Sequence, residues 1–455
     1  MTKRSIGLSR ARAASVLFIG ALATARTADA DEPVTKDPPS PIVDADVQPV
    51  PAAPKTLTSW REAVALASAE NVDYSVAVLE IDRQKGLARQ TLAGALPTIS
   101  ASGSLTLNLI RQDAVTVDSD SFVATASTTI RQPLLAPRTW WAIGTAAEQV
   151  ELAQINVEDK QRVLIAGLAD AIVTVVTAER VAEVNRVGAR AALERLRLQR
   201  RKRELGSGTD LDVLRFKQDV VSARSQIVQG DESLAQARER LGLALGAADG
   251  YSVDPAINID EIESTLGRVC ATGDLTDRAD LRALKKQKDL SERAITDADL
   301  QYLPTADLVS TLSYTSATSI LGDNHSSWSI QGVLTIPIFD GGARYGARRV
   351  AIASTRQAEE RLDAATRAAK VEVTQASRAV EVATDARDIA AEARNLAAEV
   401  ATIAQNAFNN GDGTSFDVVD AARRLREAEL NLAIRELELV RAKIASMLAT
   451  STCKL

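Results

Sequence analysis

The feature that most limits what this chain can fold into is an internal duplication. Several landmarks return in the same order after about 205 residues: a Gly-x-Gly turn at 206–208 and 411–413, Leu-Pro at 96 and 303, and Pro at 133 and 337. This period is far too long for a solenoid, whose repeats have about 20–50 residues. The pattern therefore predicts two similar halves, each built from the same supersecondary elements.

Each half begins with two segments in which apolar and polar residues alternate. The alternation predicts strands at about 98–110 and 122–132, and again at about 306–316 and 327–337. One face of each strand is apolar and the other is rich in serine and threonine. Trp328 stands near a strand end, where the aromatic girdle of a membrane barrel is expected.

Each pair of strands leads into a long helical pattern without proline. The first pattern covers about 139–204 and the second about 345–408, and each stops at a Gly-x-Gly turn. Shorter helical patterns follow at 210–246 and 415–449. A helix of ~65 residues is roughly 100 Å long, so the two halves predict an elongated, mainly α-helical molecule.

The N-terminus predicts export. Residues 1–30 combine a basic start, a short apolar stretch and a small-x-small site ending at Ala30, as in a secretory signal peptide. Residues 31–56 hold seven of the 13 prolines and predict a flexible arm. No later segment reaches 18 uninterrupted apolar residues, so we expect any membrane-spanning part of the chain to be closed β-structure.

Composition excludes several classes of function. The net charge is −6 and no basic patch stands out, so nucleic-acid binding is not expected. The single histidine, His325, cannot be combined with a nucleophile into a catalytic set, and no metal-ligand cluster or phosphate-binding loop is present. We expect neither an enzyme nor a cofactor.

Two amphipathic β-hairpins need covered faces and closed edges. Four strands are too few for a barrel, whereas three chains would supply 12, which lies within the range of outer-membrane barrels. The fold class predicted is therefore mainly α with a β-barrel part, shared among several copies. A soluble structural coiled coil is the alternative, but it explains neither the signal peptide nor the hairpins.

Over about residues 57–449, the chain resembles TolC-type outer-membrane efflux proteins. The resemblance rests on short motifs in both halves: Leu57-Thr58 through Ala67 with Asn71, Leu96-Pro97, Pro133-Leu134, Gly206/Gly208, Arg278 to Leu281, Leu303-Pro304, Trp328, Ile336 to Gly342 and Gly411 to Asp420. It implies a homotrimer with a 12-stranded outer-membrane barrel, a helical tunnel in the periplasm and a mixed equatorial belt. The expected divisions are a first repeat at 57–250, an equatorial linker at 251–275, a second repeat at 276–449 and a tail at 450–455.

The resemblance also assigns roles to residues. It places the two Gly-x-Gly turns at the periplasmic tip, where an adaptor docks, and acidic rings of a gate just beyond them. The docking residues would be Gly206, Ser207, Gly208, Gly411, Asp412 and Gly413. The gate would be formed by Asp417, Asp420 and Asp212, for which helix capping is the alternative role. The turns between barrel and helix would be formed by Pro133, Pro337, Asp340, Gly341 and Gly342. A basic residue often found in the second tip turn of related proteins is replaced by Gly413 here.

Cys270 lies between the halves and Cys453 follows the last helix. In the implied fold both fall in the equatorial belt, so we expect them to form a disulfide in the oxidising periplasm.

The function implied is an exit duct that works with a periplasmic adaptor and an inner-membrane pump. No lipid-anchor cysteine follows the signal, which favours type I secretion of a protein by an ABC exporter. Expulsion of small molecules by a proton-driven pump is the alternative. A periplasmic adaptor is the alternative from another class, although adaptors have one helical hairpin and not a tandem repeat.

Overall fold

The structure is a computed structural model and describes residues 47–48, 50–107, 122–255, 257, 270–272, 274–316 and 324–453. The predicted signal peptide and most of the proline-rich arm lie outside these residues. So do residues 108–110 at the end of the first predicted strand, and most of the predicted linker.

Both halves contain the same elements in the same order. The first half has β1 (Lys55–Leu57), α1 (Trp60–Glu70), α2 (Val72–Ala93), β2 (Thr98–Leu107), β3 (Phe122–Leu135), α3 (Pro137–Glu204), α4 (Asp210–Ala244) and β4 (Tyr251–Val253). The second half has β5 (Cys270–Thr272), a 3-10 turn (Leu275–Asp277), α5 (Ala279–Leu300), β6 (Thr305–Thr315), β7 (Ser326–Thr335), α6 (Ala343–Asn410), α7 (Ser415–Thr450) and β8 (Ser451–Cys453). The two long helices, each of 68 residues, confirm the helical patterns.

One expected turn residue lies elsewhere. Pro133 is inside β3, because the strand continues to Leu135 and the register with β6 shifts between Pro133 and Leu135. The shift leaves Leu134 unpaired, so the ladder is already irregular beside Pro133, which pairs with Asp307 but has no N–H to donate. The chain then enters α3 within two residues, with Pro137 in its first turn.

The two hairpins form one four-stranded antiparallel sheet in the order β2-β3-β6-β7. The halves meet along β3 and β6, where Thr129 pairs with Thr311. Strands β2 and β7 are therefore the edges of the sheet, and among the described residues neither has a second neighbouring strand.

The helices form a wall at one end of this sheet, where α2, α3, α5 and α6 connect to its strands. Near the sheet the order is α2, α3, α5 and α6; toward the Gly-x-Gly turns it is α4, α3, α7 and α6. Helix α3 lies in the middle at both levels, whereas α6 forms one edge along its whole length. Helices α2 and α4 together form the other edge.

The main apolar core lies midway along the wall, where β1, β4 and α1 cover α3. It includes Leu57, Trp60, Ile172 and Leu241. By length and composition α3 contains a stretch apolar enough to cross a membrane, and it is the one helix in the described part of the chain that does. A third of that stretch (33%) is buried, and its residues Leu168, Ile172 and Val173 lie in this core.

The end of the proline-rich arm is docked against the wall, not loose. Strand β1 pairs in parallel with β4, and the Arg238 guanidinium donates to the Pro51 carbonyl at 2.7 Å. Further toward the tip, the Arg186 Nε donates to the Gln48 carbonyl at 2.7 Å. Arg186 is held in turn by both carboxylate oxygens of Asp231, at 2.7 and 2.8 Å.

Strands β5 and β8 form a second small ladder in the belt. Their antiparallel register places Cys270 directly opposite Cys453.

Candidate functional site: the helical tips

The first Gly-x-Gly turn is a compact C-terminal cap of α3. Gly206 has φ +79°, a left-handed conformation that glycine adopts without steric cost, and the Ser207 N–H donates to the Lys202 carbonyl at 2.9 Å. A Cβ on Gly208 would lie 3.0 Å from the Arg203 backbone nitrogen. Both glycines are therefore required by the reversal.

The second turn has the same design. Gly411 has φ +86°, and the Asp412 and Gly413 N–H groups both donate to the Ala407 carbonyl, at 2.9 and 3.2 Å. A Cβ on Gly413 would lie 3.0 Å from the Phe408 nitrogen. The basic residue expected at this position would have to displace that backbone.

Asp212 caps α4. Its carboxylate accepts from the Thr209 hydroxyl at 2.6 Å, and its own N–H donates to the Thr209 hydroxyl oxygen at 3.1 Å, which is a capping box. Burial raises the pKa of Asp212, but hydrogen bonds from Ser415 and Thr209 outweigh it and the pKa lies below its usual value.

Asp417 makes the same arrangement at the start of α7. Its carboxylate accepts from the Thr414 hydroxyl at 2.6 Å and from the Thr414 N–H at 3.0 Å. These hydrogen bonds lower the pKa of Asp417. In this conformation the carboxylate therefore caps the helix, which is the alternative to a role in the gate. It remains ionised at neutral pH.

Asp420 lies one turn further on and is paired within its own helix. It accepts from Arg423 at 2.9 Å and from Arg424 at 2.7 Å, and these contacts lower its pKa. The acid is therefore ionised but has two cations beside it.

The two tips are joined to each other within one chain. The Ser415 hydroxyl, which is buried, donates to Asp212, and Arg215 donates to the Ser415 oxygen at 3.2 Å. The Phe216 and Phe408 rings pack at 6.1 Å between centroids. Sequence reasoning missed Ser415 and Arg215, because nothing local marks a contact between positions 200 residues apart.

A buried ion pair joins the same hairpins above the tip. Asp219 on α4 accepts from Arg426 on α7 at 2.5 Å and from Arg195 on α3 at 3.3 Å. A Cβ on Gly188 of α3 would lie 2.4 Å from the Arg426 side chain. Gly188 thus makes room for Arg426, and a glycine inside a long helix was the one available signal of this site.

At the opposite end, the turn from β7 into α6 is built on Asp340. Its carboxylate accepts from the Gly342 N–H and the Arg344 N–H, both at 3.0 Å, and from the Arg344 side chain at 2.7 Å. Gly341 and Gly342 have φ +68° and +90°. Arg344 also donates to the Pro337 carbonyl at 3.0 Å, so four of the five predicted turn residues do form this connection.

This architecture matches a known family. The family model described as outer membrane efflux protein matches residues 63–247 and 275–450, one segment for each half. The chain belongs to the outer membrane efflux protein family. It is therefore an outer-membrane channel with a periplasmic tunnel, and its family consists of channels and not of enzymes. This excludes the two alternatives, a periplasmic adaptor and a structural coiled coil.

Individual members of the family are distant from this chain. The outer membrane protein TolC of Vibrio cholerae is 23% identical over 400 residues, which cover 84% of this chain and 90% of that protein. The fold resembles the Campylobacter jejuni CmeC outer membrane channel with a TM-score of 0.73, at 16% identity, over 86% of this chain and 85% of that one. It resembles the open state of the Neisseria gonorrhoeae MtrE outer membrane channel with a TM-score of 0.70, at 18% identity, over 86% and 88% of the two chains.

Proposed function

We propose that the chain assembles as a homotrimer and forms the exit duct of a tripartite export machine. Of the two classes of cargo, we favour a protein exported by type I secretion. The observation that carries the proposal is the open sheet. Strands β2 and β7 are unpaired edges of ten residues each, and a membrane offers no water to satisfy their backbone groups. When β2 of each copy pairs with β7 of the next copy, three copies close their 12 strands into a barrel.

The helical edges support the same closure. On α4, Leu214, Val221 and Val228 recur at seven-residue spacing and are each more than half exposed. On α6, the exposed residues at the same spacing are Val382, Ile389, Leu396 and Ile403. Seven-residue spacing is the repeat of a coiled-coil seam. Both stripes belong to edge helices near the tip, so α4 of one copy fits against α6 of its neighbour.

The energy for export comes from a pump in the inner membrane. The turn residues Gly206, Ser207, Gly411 and Asp412 are exposed, and Gly208 and Gly413 beside them are half-buried. Together these six residues are our proposed docking surface for a periplasmic adaptor. The pump is an inner-membrane ABC exporter, or, in the alternative, a proton-driven pump for small molecules.

The acids beside these turns form the proposed gate. Asp417 and Asp420 are both ionised near neutral pH, and three copies of each would ring the entrance. Arg423 and Arg424 balance the charge of Asp420, so Asp417 supplies the net negative charge of the ring. Asp212 contributes by holding Ser415 and so tying the two tips of each copy together.

A clean deletion tests the cargo. The parent strain, the deletion strain and the deletion strain complemented in trans are compared for proteins in the culture supernatant and for accumulation of toxic dyes. Loss of one or a few large secreted proteins, retained in the cells and restored by complementation, supports type I secretion. An unchanged supernatant with dye accumulation supports the small-molecule alternative, and no change in either assay contradicts the duct.

A further inference from the structure

The polar face of the sheet is lined mostly by hydroxyl groups. In register, Ser102 lies beside Ser127 with 2.9 Å between their oxygens, and Ser313 lies beside Ser327 at 2.7 Å. The opposite face has residues such as Ile99, Leu312 and Trp328, all more than half exposed. In a barrel the apolar face meets lipid, so the hydroxyl face lines the water-filled lumen.

Strands β2, β3, β6 and β7 contain only two charged residues, Arg131 and Asp307. Both alternate onto the hydroxyl face, since the adjacent Ile130 and Leu308 are on the apolar face. They form an ion pair between neighbouring strands, with 2.6 Å from the guanidinium to the carboxylate oxygen. The Asp307 side chain is 13% exposed and that of Arg131 is 60% exposed.

The pair lies at the helix end of the barrel, where β3 leads toward α3. In a trimer it becomes a ring of three cations and three anions at the level where the barrel meets the tunnel. Because each charge has its opposite beside it, the ring has no net charge, and the hydroxyl lining above it has none either.

We propose that Arg131 and Asp307 face the ion path where the barrel meets the tunnel, and that each cancels the other's effect on charge selection at that level. The inference rests on the proposed trimeric duct. Within the described strands, a neutral ring and a hydroxyl-rich lining neither hold nor repel a chain of mixed charge, which is what an unfolded polypeptide presents. Charge selection is then left to the acidic tip.

The test is the reversal potential of the purified full-length trimer in planar bilayers under a potassium chloride gradient. The salt is kept near 0.1 M, where the Debye length is about 10 Å and lumen charges are incompletely screened. The variants are Asp307→Asn, Arg131→Gln and the double variant, each also made with Asp417→Asn to reduce the charge of the tip, whereas Asp420 is left in place because it is paired with Arg423 and Arg424.

Opposite shifts support the proposal. Asp307→Asn leaves three cations and should shift the reversal potential toward that of chloride, whereas Arg131→Gln should shift it toward that of potassium. The double variant should return to the parent value. Single-variant channels with the parent reversal potential would show that the two charges do not face the ion path, and this result, or shifts of the same sign, overturns the inference. Absence of any channel in the parent would instead contradict the proposed duct.

Discussion

Asp219 and Arg426 are 207 residues apart in the chain and bonded at 2.5 Å, with side chains only 2% and 6% exposed. They lie on α4 and α7, so the pair connects the helical hairpin of the first half to that of the second. Arg195 on α3 bonds the other carboxylate oxygen of Asp219, which makes the site a junction of three helices.

Removing the acid from this junction should be strongly destabilising. Asp219→Asn leaves two guanidinium groups without their counter-charge, and breaking a buried pair costs about 3–5 kcal/mol. We expect a lower melting temperature of the assembled protein by circular dichroism. Asp219→Leu with Arg426→Met should recover much of the loss, because Arg195 is 21% exposed and reaches water.

The matched control is the exposed pair of Arg441 and Asp170 on α7 and α3, whose side chains are 47% and 57% exposed. Arg441→Ala should cost about 1 kcal/mol or less, because surface ion pairs are screened by water. Equal losses from the exposed and the buried pair would show that burial of Asp219 does not matter to stability.

The stripes on α4 and α6 predict the trimer contact. Val221→Glu and Ile389→Glu each place a charge in the proposed seam and should reduce the fraction of trimer, measured by light scattering in detergent. Val163→Glu is the control, because Val163 is also about half exposed but belongs to α3, in the middle of the wall. A trimer that tolerates both seam variants as well as the control would place the contact elsewhere.

The belt ladder predicts a disulfide between Cys270 and Cys453. Opposed residues of an antiparallel ladder have Cα atoms about 4.5–5.5 Å apart, within the roughly 4.4–6.8 Å that a disulfide spans. Protein from the periplasmic route should show two thiols protected from alkylation until reductant is added. Cys453→Ser should expose Cys270 to the reagent and destabilise the fold by about 2–5 kcal/mol. Alkylation of both thiols in the unreduced protein would contradict the prediction.

The Asp417 cap predicts an effect of acid on the tip. Hydrogen bonds from Thr414 lower its pKa in the folded state below the unfolded value of about 3.9. Its contribution to stability is therefore present above about pH 4 and is lost as the pH falls through the folded pKa. Hydrogen exchange at the Asp417 amide, which donates to Thr414 at 3.2 Å, should accelerate over that range when the rate is divided by the intrinsic exchange rate at each pH.

Asp417→Asn keeps the size of the side chain but removes its titration, so the acid-induced acceleration attributable to the cap should disappear. Asp412→Asn, in the turn but outside the capping box, serves as the control and should behave as the parent. Persistence of the acid effect in Asp417→Asn would mean that another group controls the tip.

Much of the architecture follows from local sequence. Alternation marks the strands, the absence of proline permits helices of 68 residues, and glycines that must adopt positive φ at 206 and 411 set where the helices reverse. The sequence was also sufficient for the fold class and the family, because these depend on patterns within each half. Pro133 is the exception, since the bulge that accommodates it depends on the partner strand β6.

The contacts between the halves were decided only by the tertiary structure. Three contacts join residues about 200 positions apart: Asp212 with Ser415, Asp219 with Arg426 and Arg131 with Asp307. Nothing in the flanking sequence of any of them indicates the partner. The sequence likewise left open whether Asp417 is a gate acid or a cap, and its engagement with Thr414 becomes visible only with side-chain geometry. The physical reason is the same in each case: periodicity fixes which face a residue occupies, whereas its partner depends on how two separately formed hairpins pack.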